Sequence, residues 1–216
     1  ISTIGALGQG SSNNLSKDTD LALAIGTKLA DFTTGSWANF ENPDFELISV
    51  NTARFDTTKH LATPVISDAK VGLQQISEAL GDWKAPDPWY QRAIKERDEW
   101  DAYVQKHSGP TNQEEPSYAH AVGAVYRNAD PSDIVVTAAG GLVGEVVQVW
   151  KPKQLNTFET EWGFSCMGYE ISGALGIKMA KPDQDVVVFV GDGSYLLSNS
   201  DIYSSVLYDQ KLIIIV

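Results

Sequence analysis

The segment Val186-Val-Val-Phe-Val190 is an unbroken apolar run, and it leads straight into Gly191-Asp192-Gly193-Ser194. Two glycines let a backbone turn sharply and come close to a ligand. The Asp192 carboxylate between them is left at the mouth of the loop, ahead of a predicted helix whose first N–H groups lack partners. Such a site suits a hard cation on the carboxylate, with a diphosphate on the N–H groups of Gly193 and Ser194. A bare Gly-Asp-Gly also makes an ordinary turn. Here the strand before it, the helix after it and the next apolar run at residues 212–216 give the motif its weight.

A second loop of the same kind follows the strand-like Ile134-Val-Val-Thr137, namely Ala138-Ala-Gly-Gly141. In isolation such a loop is more often a plain turn. In an α/β sheet, however, loops at the carboxyl ends of neighbouring strands converge on one crevice, which would bring Gly140 and Gly141 to the same anion. Cys166 has no histidine near it in sequence, so a nucleophilic thiol is not expected. Carboxylates at Glu159, Glu161 and Glu170 could move protons, but solvent-facing positions are the ordinary expectation for them. His60, His107 and His120 are scattered without ligand spacing and are expected at the surface or in caps.

The elements that must position these residues alternate between strand and helix. Leu21-Ala-Leu-Ala-Ile25, Leu47-Ile-Ser-Val50 and Pro64-Val-Ile-Ser67 are short apolar runs. A helix follows with Asp68 as N-cap and with Leu73, Ile76 and Leu80 as its inward stripe. Trp83-Lys-Ala-Pro-Asp-Pro88 reads as a hinge, and residues 89–107 as an amphipathic helix with Trp89, Ala93, Trp100 and Val104 on one side. After a second break at residues 108–116, Ser117 is placed to cap a helix with Tyr118, Val122 and Val125 inward. Residues 167–180 are expected to form a helix with Ile171, Ala174, Leu175 and Met179 inward, and a further helix is expected around residues 198–208. Short buried strands separated by helices imply two α/β units with parallel sheets in three layers. The expected divisions are residues 1–82, a helical linker over 83–115, and residues 116–216.

Across 216 residues the formal net charge is −12, which disfavours nucleic-acid backbones and anionic membrane surfaces. The single cysteine leaves no intramolecular disulfide and no multi-cysteine zinc site. No segment reaches the roughly 20 apolar residues of a membrane span. Ile1-Ser-Thr-Ile-Gly5 carries no leader pattern, and the expected location is cytoplasmic.

Gly191-Asp192-Gly193-Ser194 resembles the start of the thiamine diphosphate motif, in which an Asn follows roughly 25–30 residues later. Two further segments, Glu161-Trp-Gly-Phe-Ser-Cys-Met-Gly-Tyr-Glu170 and Asp31-Phe-Thr-Thr-Gly-Ser-Trp37, resemble the inositol-catabolism branch of the thiamine diphosphate-dependent enzymes. The resemblance runs along nearly the whole chain. It implies part of a Rossmann-like middle domain plus an incomplete diphosphate-binding domain, with thiamine diphosphate and Mg²⁺ as cofactors. By this resemblance Asp192 is a metal ligand, and Gly140, Gly141, Gly191, Gly193 and Ser194 meet the diphosphate. Ser165, Cys166 and Met167 line the bent cofactor, with Met167 as the fulcrum beneath its rings; core filling is the ordinary alternative for that methionine.

The implied reaction opens the ring C–C bond of a cyclic 1,2-diketone to a 5-deoxy-glucuronate-type acid. The implied assembly is a homo-oligomer whose subunits share the site. Only 24 residues follow Asp192, so the metal-binding Asn falls beyond Val216 and the chain is expected to be part of a longer enzyme. No catalytic residue is assigned within it, because the glutamate that activates the cofactor belongs to an N-terminal domain in this family. Flavin-binding relatives carry an arginine where Phe32 stands and a histidine where Leu7 stands, so no flavin is expected on the middle domain. The rival readings are a synthase or decarboxylase acting on 2-keto acids and resembling acetolactate synthase, and a non-catalytic α/β binding module.

Overall fold

A computed structural model describes residues 2–216, and Ile1 of the leader-free N-terminal reading lies outside them. Two compact units divide between Tyr103 and Val104. The first begins with α1 (Gly10–Asp18), β1 (Leu21–Ile25), the single turn α2 (Asp31–Thr34) and β2 (Glu46–Asn51). A second single turn, α3 (Arg54–Thr57), precedes β3 (Thr63–Ile66), α4 (Ala69–Leu80) and α5 (Asp87–Ser108), whose residues up to Tyr103 belong to this unit. Its three strands are parallel in the order β1-β2-β3, with Ala24 opposite Ser49 and Val50 opposite Val65.

Asp68 caps α4 by accepting from Lys70 N at 2.9 Å and Val71 N at 3.3 Å. The inward line of α4 is Gly72 and Ile76, not the expected Leu73 and Leu80, which are exposed. A Cβ on Gly72 would lie 2.8 Å from Val50 Cγ1, so the helix closes on the sheet at its glycine. Leu73 is turned about 100° away from that line. The hinge is also shorter than expected, because Pro88 fits the first turn of α5, where no N–H is needed.

The second unit takes in α6 (Tyr118–Asn128), β4 (Ile134–Thr137), α7 (Gly141–Val149), β5 (Phe158–Thr160) and α8 (Tyr169–Ala180). It ends with β6 (Val186–Phe189), α9 (Asp192–Ser198), α10 (Ser200–Leu207) and β7 (Ile213–Ile215). All four strands are parallel in the order β5-β4-β6-β7. Every residue of β4 and β6 is buried, which is why both read as continuous apolar runs. Ile134, Val136, Val186, Val188 and Val190 pack with Ala174 of α8 on one face. On the other, Trp150 meets Phe189 edge-on at 6.0 Å, and Val143, Val146 and Val147 of α7 are buried. Each fully buried valine contributes about 1.5–3 kcal/mol.

Ser117 caps α6 in a reciprocal box with His120, whose Nδ1 accepts from Ser117 N at 3.2 Å. Two inward assignments are corrected. Tyr118 is exposed, since Val122 and Gly123 form the buried line of α6. Met179 is exposed, and Lys178 beside it is buried, its Nζ donating to the carbonyls of Pro182 at 2.9 Å and Gln184 at 2.7 Å. The helix expected around residues 198–208 is α10, set off at Asn199 from α9, the helix that follows the Gly-Asp-Gly loop.

Candidate functional site

The chain runs outward from β4 to β5, crosses back, and then runs outward the other way from β6 to β7. The reversal lies between the paired strands β4 and β6. In open α/β sheets, ligands sit at the carboxyl ends of the strands that flank such a reversal. Those ends carry the two glycine loops singled out in the sequence, residues 138–141 after β4 and residues 190–193 after β6.

Gly140 has φ +86° and is the N-cap of α7, and Gly141 is its first residue. A Cβ at Gly140, Gly141 or Gly191 would meet no atom within 4 Å, so all three border open space. Asp192 is exposed at the start of α9, and its Oδ1 accepts from Gly193 N at 2.8 Å. The Gly193 N–H is therefore turned to Asp192, whereas the sequence reading aimed it at a diphosphate. Ser194 is buried beneath the loop.

The segment at residues 165–168 comes to the same place. Met167 is half-exposed, and its Cε lies 3.0 Å from where a Cβ on Gly193 would stand. The Ser165 hydroxyl donates to Ala138 O at 3.1 Å, tying this segment to the first glycine loop. Residues 167 and 168 are not helical as expected, because Gly168 at φ +95° caps α8 from the left-handed region. Cys166 is exposed and free.

Its backbone N–H donates to Glu161 Oε2 at 2.8 Å, and Phe164 N donates to Glu161 Oε1 at 2.9 Å. The Phe164 and Cys166 N–H groups hold the Glu161 carboxyl below its ordinary value. Burial raises the Tyr169 hydroxyl above its usual value, with help from the charges of Glu159 and Glu161.

Glu170 overturns its expected solvent-facing position. It is wholly buried, with Oε1 accepting from Ala139 N at 3.0 Å and Oε2 from Gly168 N at 3.0 Å. Its signal was present in the sequence: Glu170, Ala174 and Ile177 fall at i, i+4 and i+7 on the inward side of α8.

Among the described residues no group of three or more His, Cys, Asp or Glu side chains is poised to hold a metal. A lone Asp192 beside an open glycine cradle still fits a hard cation whose other ligands include phosphates and water. The constellation is an open crevice. A hollow of about 500 Å³ lies elsewhere, in the first unit, where Trp37 stacks on His60 at 4.0 Å.

Residues 138–216 match the thiamine pyrophosphate enzyme C-terminal TPP binding domain, and residues 1–76 match the central domain of the same enzymes. The chain belongs to the thiamine pyrophosphate enzymes. The matched cofactor-binding domain holds both glycine loops and the 165–168 segment. The chain is 34% identical, over 98% of its length, to 3D-(3,5/4)-trihydroxycyclohexane-1,2-dione hydrolase of Geobacillus thermodenitrificans. It is 35% identical over 97% to the protein of that name from Clostridium tetani, and 32% over 98% to that from Lacticaseibacillus casei. It spans 36% of the length of each of these relatives. No helix among the described residues is long and apolar enough to cross a membrane.

Proposed function

We propose that these residues form the C-terminal part of the middle domain and the first part of the cofactor domain of a thiamine diphosphate- and Mg²⁺-dependent hydrolase. Its substrate is a cyclohexane-1,2-dione derived from inositol, and its product a 5-deoxy-glucuronate-type acid. One observation carries the site: Met167, Ser165 and the two glycine loops converge at the reversal point of the sheet. The relatives' shared name supports the substrate class. When bound, thiamine diphosphate supplies a carbanion nucleophile for carbonyl addition and C–C cleavage.

The chain's own residues bind and orient. Asp192 contributes one oxygen to Mg²⁺, and Gly140, Gly141, Gly191, Gly193 and Ser194 line the diphosphate. Met167 would support the cofactor's rings, and Ser165 and Cys166 would line the same segment. To reach a diphosphate the Gly193 N–H would have to turn away from Asp192 Oδ1. A site shared between subunits of a homo-oligomer is supported by the exposed apolar side chains of Phe164, Leu196, Leu197, Val206 and Leu207.

Calorimetric titration of the full-length protein with thiamine diphosphate, with and without Mg²⁺, tests the cofactor. Asp192→Ala is expected to weaken Mg²⁺-dependent binding by more than about 10-fold. Wild-type affinity in that variant would remove Asp192 from the metal. Product analysis with the cyclic diketone against 2-keto acids separates the hydrolase from a synthase or decarboxylase. A protein giving no Mg²⁺-dependent heat would be a binding module instead.

A further inference from the structure

Among the described residues Glu170 is the only buried carboxyl side chain, and the chemistry outlined above does not use it. A carboxyl taken out of water is stable only when its oxygens are hydrogen-bonded. Here each oxygen accepts one backbone N–H, from Ala139 in the loop after β4 and from Gly168 at the head of α8. Neither donor belongs to a strand ladder or a helix interior. We infer that Glu170 is a positioning residue: it fixes the separation between the 138–141 loop and the 165–168 segment, the two walls of the cofactor crevice.

The inference rests on the proposed function for what the walls hold, and on geometry alone for the clamp. Packing by itself would be served by an apolar residue, as at Ala174 and Ile177 along the same line of α8. The carboxyl is distinguished by having two acceptors on one rigid fork. It can hold together the loop that follows β4 and the segment that leads from β5 into α8. Ser165 Oγ, bonded to Ala138 O, is a second tie between the same two walls. Gly168 must stay a glycine for this arrangement, since a Cβ there would collide with Ser198 Oγ.

Glu170→Gln keeps the shape but leaves one acceptor, so one of the two N–H groups loses its partner. In the full-length enzyme, assayed well below both unfolding midpoints, kcat is expected to fall about 10–100-fold, because misplacement of about 1 Å suffices for that. KM and the thiamine diphosphate Kd should change by no more than about 3-fold, well below the loss in kcat, since Asp192 and the 190–193 loop keep their contacts and only those of Gly140 and Gly141 move with the clamped loop.

In wild type without cofactor, the Ala139 and Gly168 amides should exchange slowly with solvent, and in the variant at least one should exchange about 10-fold faster. Free-loop exchange of both amides in wild type would overturn the clamp even where the variant fails to fold. Wild-type kcat in Glu170→Gln would overturn it too, and so would a collapse of cofactor affinity with turnover per bound cofactor preserved. Absence of Mg²⁺-dependent cofactor binding in wild type would sink the proposed function instead. The exchange measurement would then still decide the clamp.

Discussion

Met167 separates two demands that a cofactor site makes of one segment. Its side chain is half-exposed and stands over Gly193, so it touches the open crevice without helping to hold a metal. Met167→Ala in the full-length enzyme is therefore expected to lower turnover by on the order of 100-fold, with cofactor affinity changed only a few-fold. A collapse of affinity with turnover per bound cofactor preserved would make Met167 a packing residue.

Glu161, at the other end of the segment, titrates abnormally because the Phe164 and Cys166 N–H groups favour its charged form. A depressed folded pKa means that the loop's stabilisation is present above the ordinary glutamate value. It is lost as pH falls through the lowered folded value. Trp162 sits inside this loop, and its fluorescence should report a transition on that acid side. Glu161→Gln should flatten it, and an unchanged acid transition in the variant would count against the loop's dependence on Glu161.

Helices and strands were legible to different degrees, for a physical reason. β1 coincides with its expected run, and β4 and β6 needed only their continuous apolar text, because a parallel strand buried on both faces has no pattern to misassign. Helix faces were harder. Leu73, Leu80, Tyr118 and Met179 each matched an inward stripe, yet the closest approach was set by Gly72 and Gly123, which hydropathy does not weigh. Glu170 escaped because a carboxylate on an inward line reads as a break in the stripe, and one of the N–H groups that make its burial stable, that of Ala139, lies 31 residues away in sequence.

The start of α8 shows the same dependence on a single backbone choice. Gly168 takes a left-handed conformation that costs a non-glycine residue about 1–2 kcal/mol, and its missing Cβ leaves room for Ser198. Gly168→Ala is accordingly expected to destabilise the folded protein by at least that amount, read as a lower denaturant midpoint. A neutral midpoint would mean that α8 and α9 shift apart freely at this contact.

At the scale of the whole molecule, what the 216 residues carry and what the family chemistry demands do not coincide. Asp192 and both glycine loops are present. The downstream Asn and the activating glutamate that the resemblance implies are not among these residues. Positioning and proton transfer must coincide at one reacting carbon, so losing either group is expected to cost orders of magnitude in rate. A polypeptide of these residues alone is therefore expected to show no turnover of the cyclic diketone with thiamine diphosphate and Mg²⁺.

It should also self-associate. β7 is an edge strand of three isoleucines, and Leu196, Leu197, Val206 and Leu207 on the neighbouring helices are exposed. An unpaired apolar edge and exposed apolar side chains each recruit another copy. Sedimentation across a concentration series would show oligomers whose share rises with protein, and charged substitutions at Val206 and Leu207 should reduce them. A monomer at all concentrations would mean that these side chains need no partner. Turnover comparable to that of a full-length relative would show that the two absent groups are dispensable, and would overturn the assignment of the chemistry.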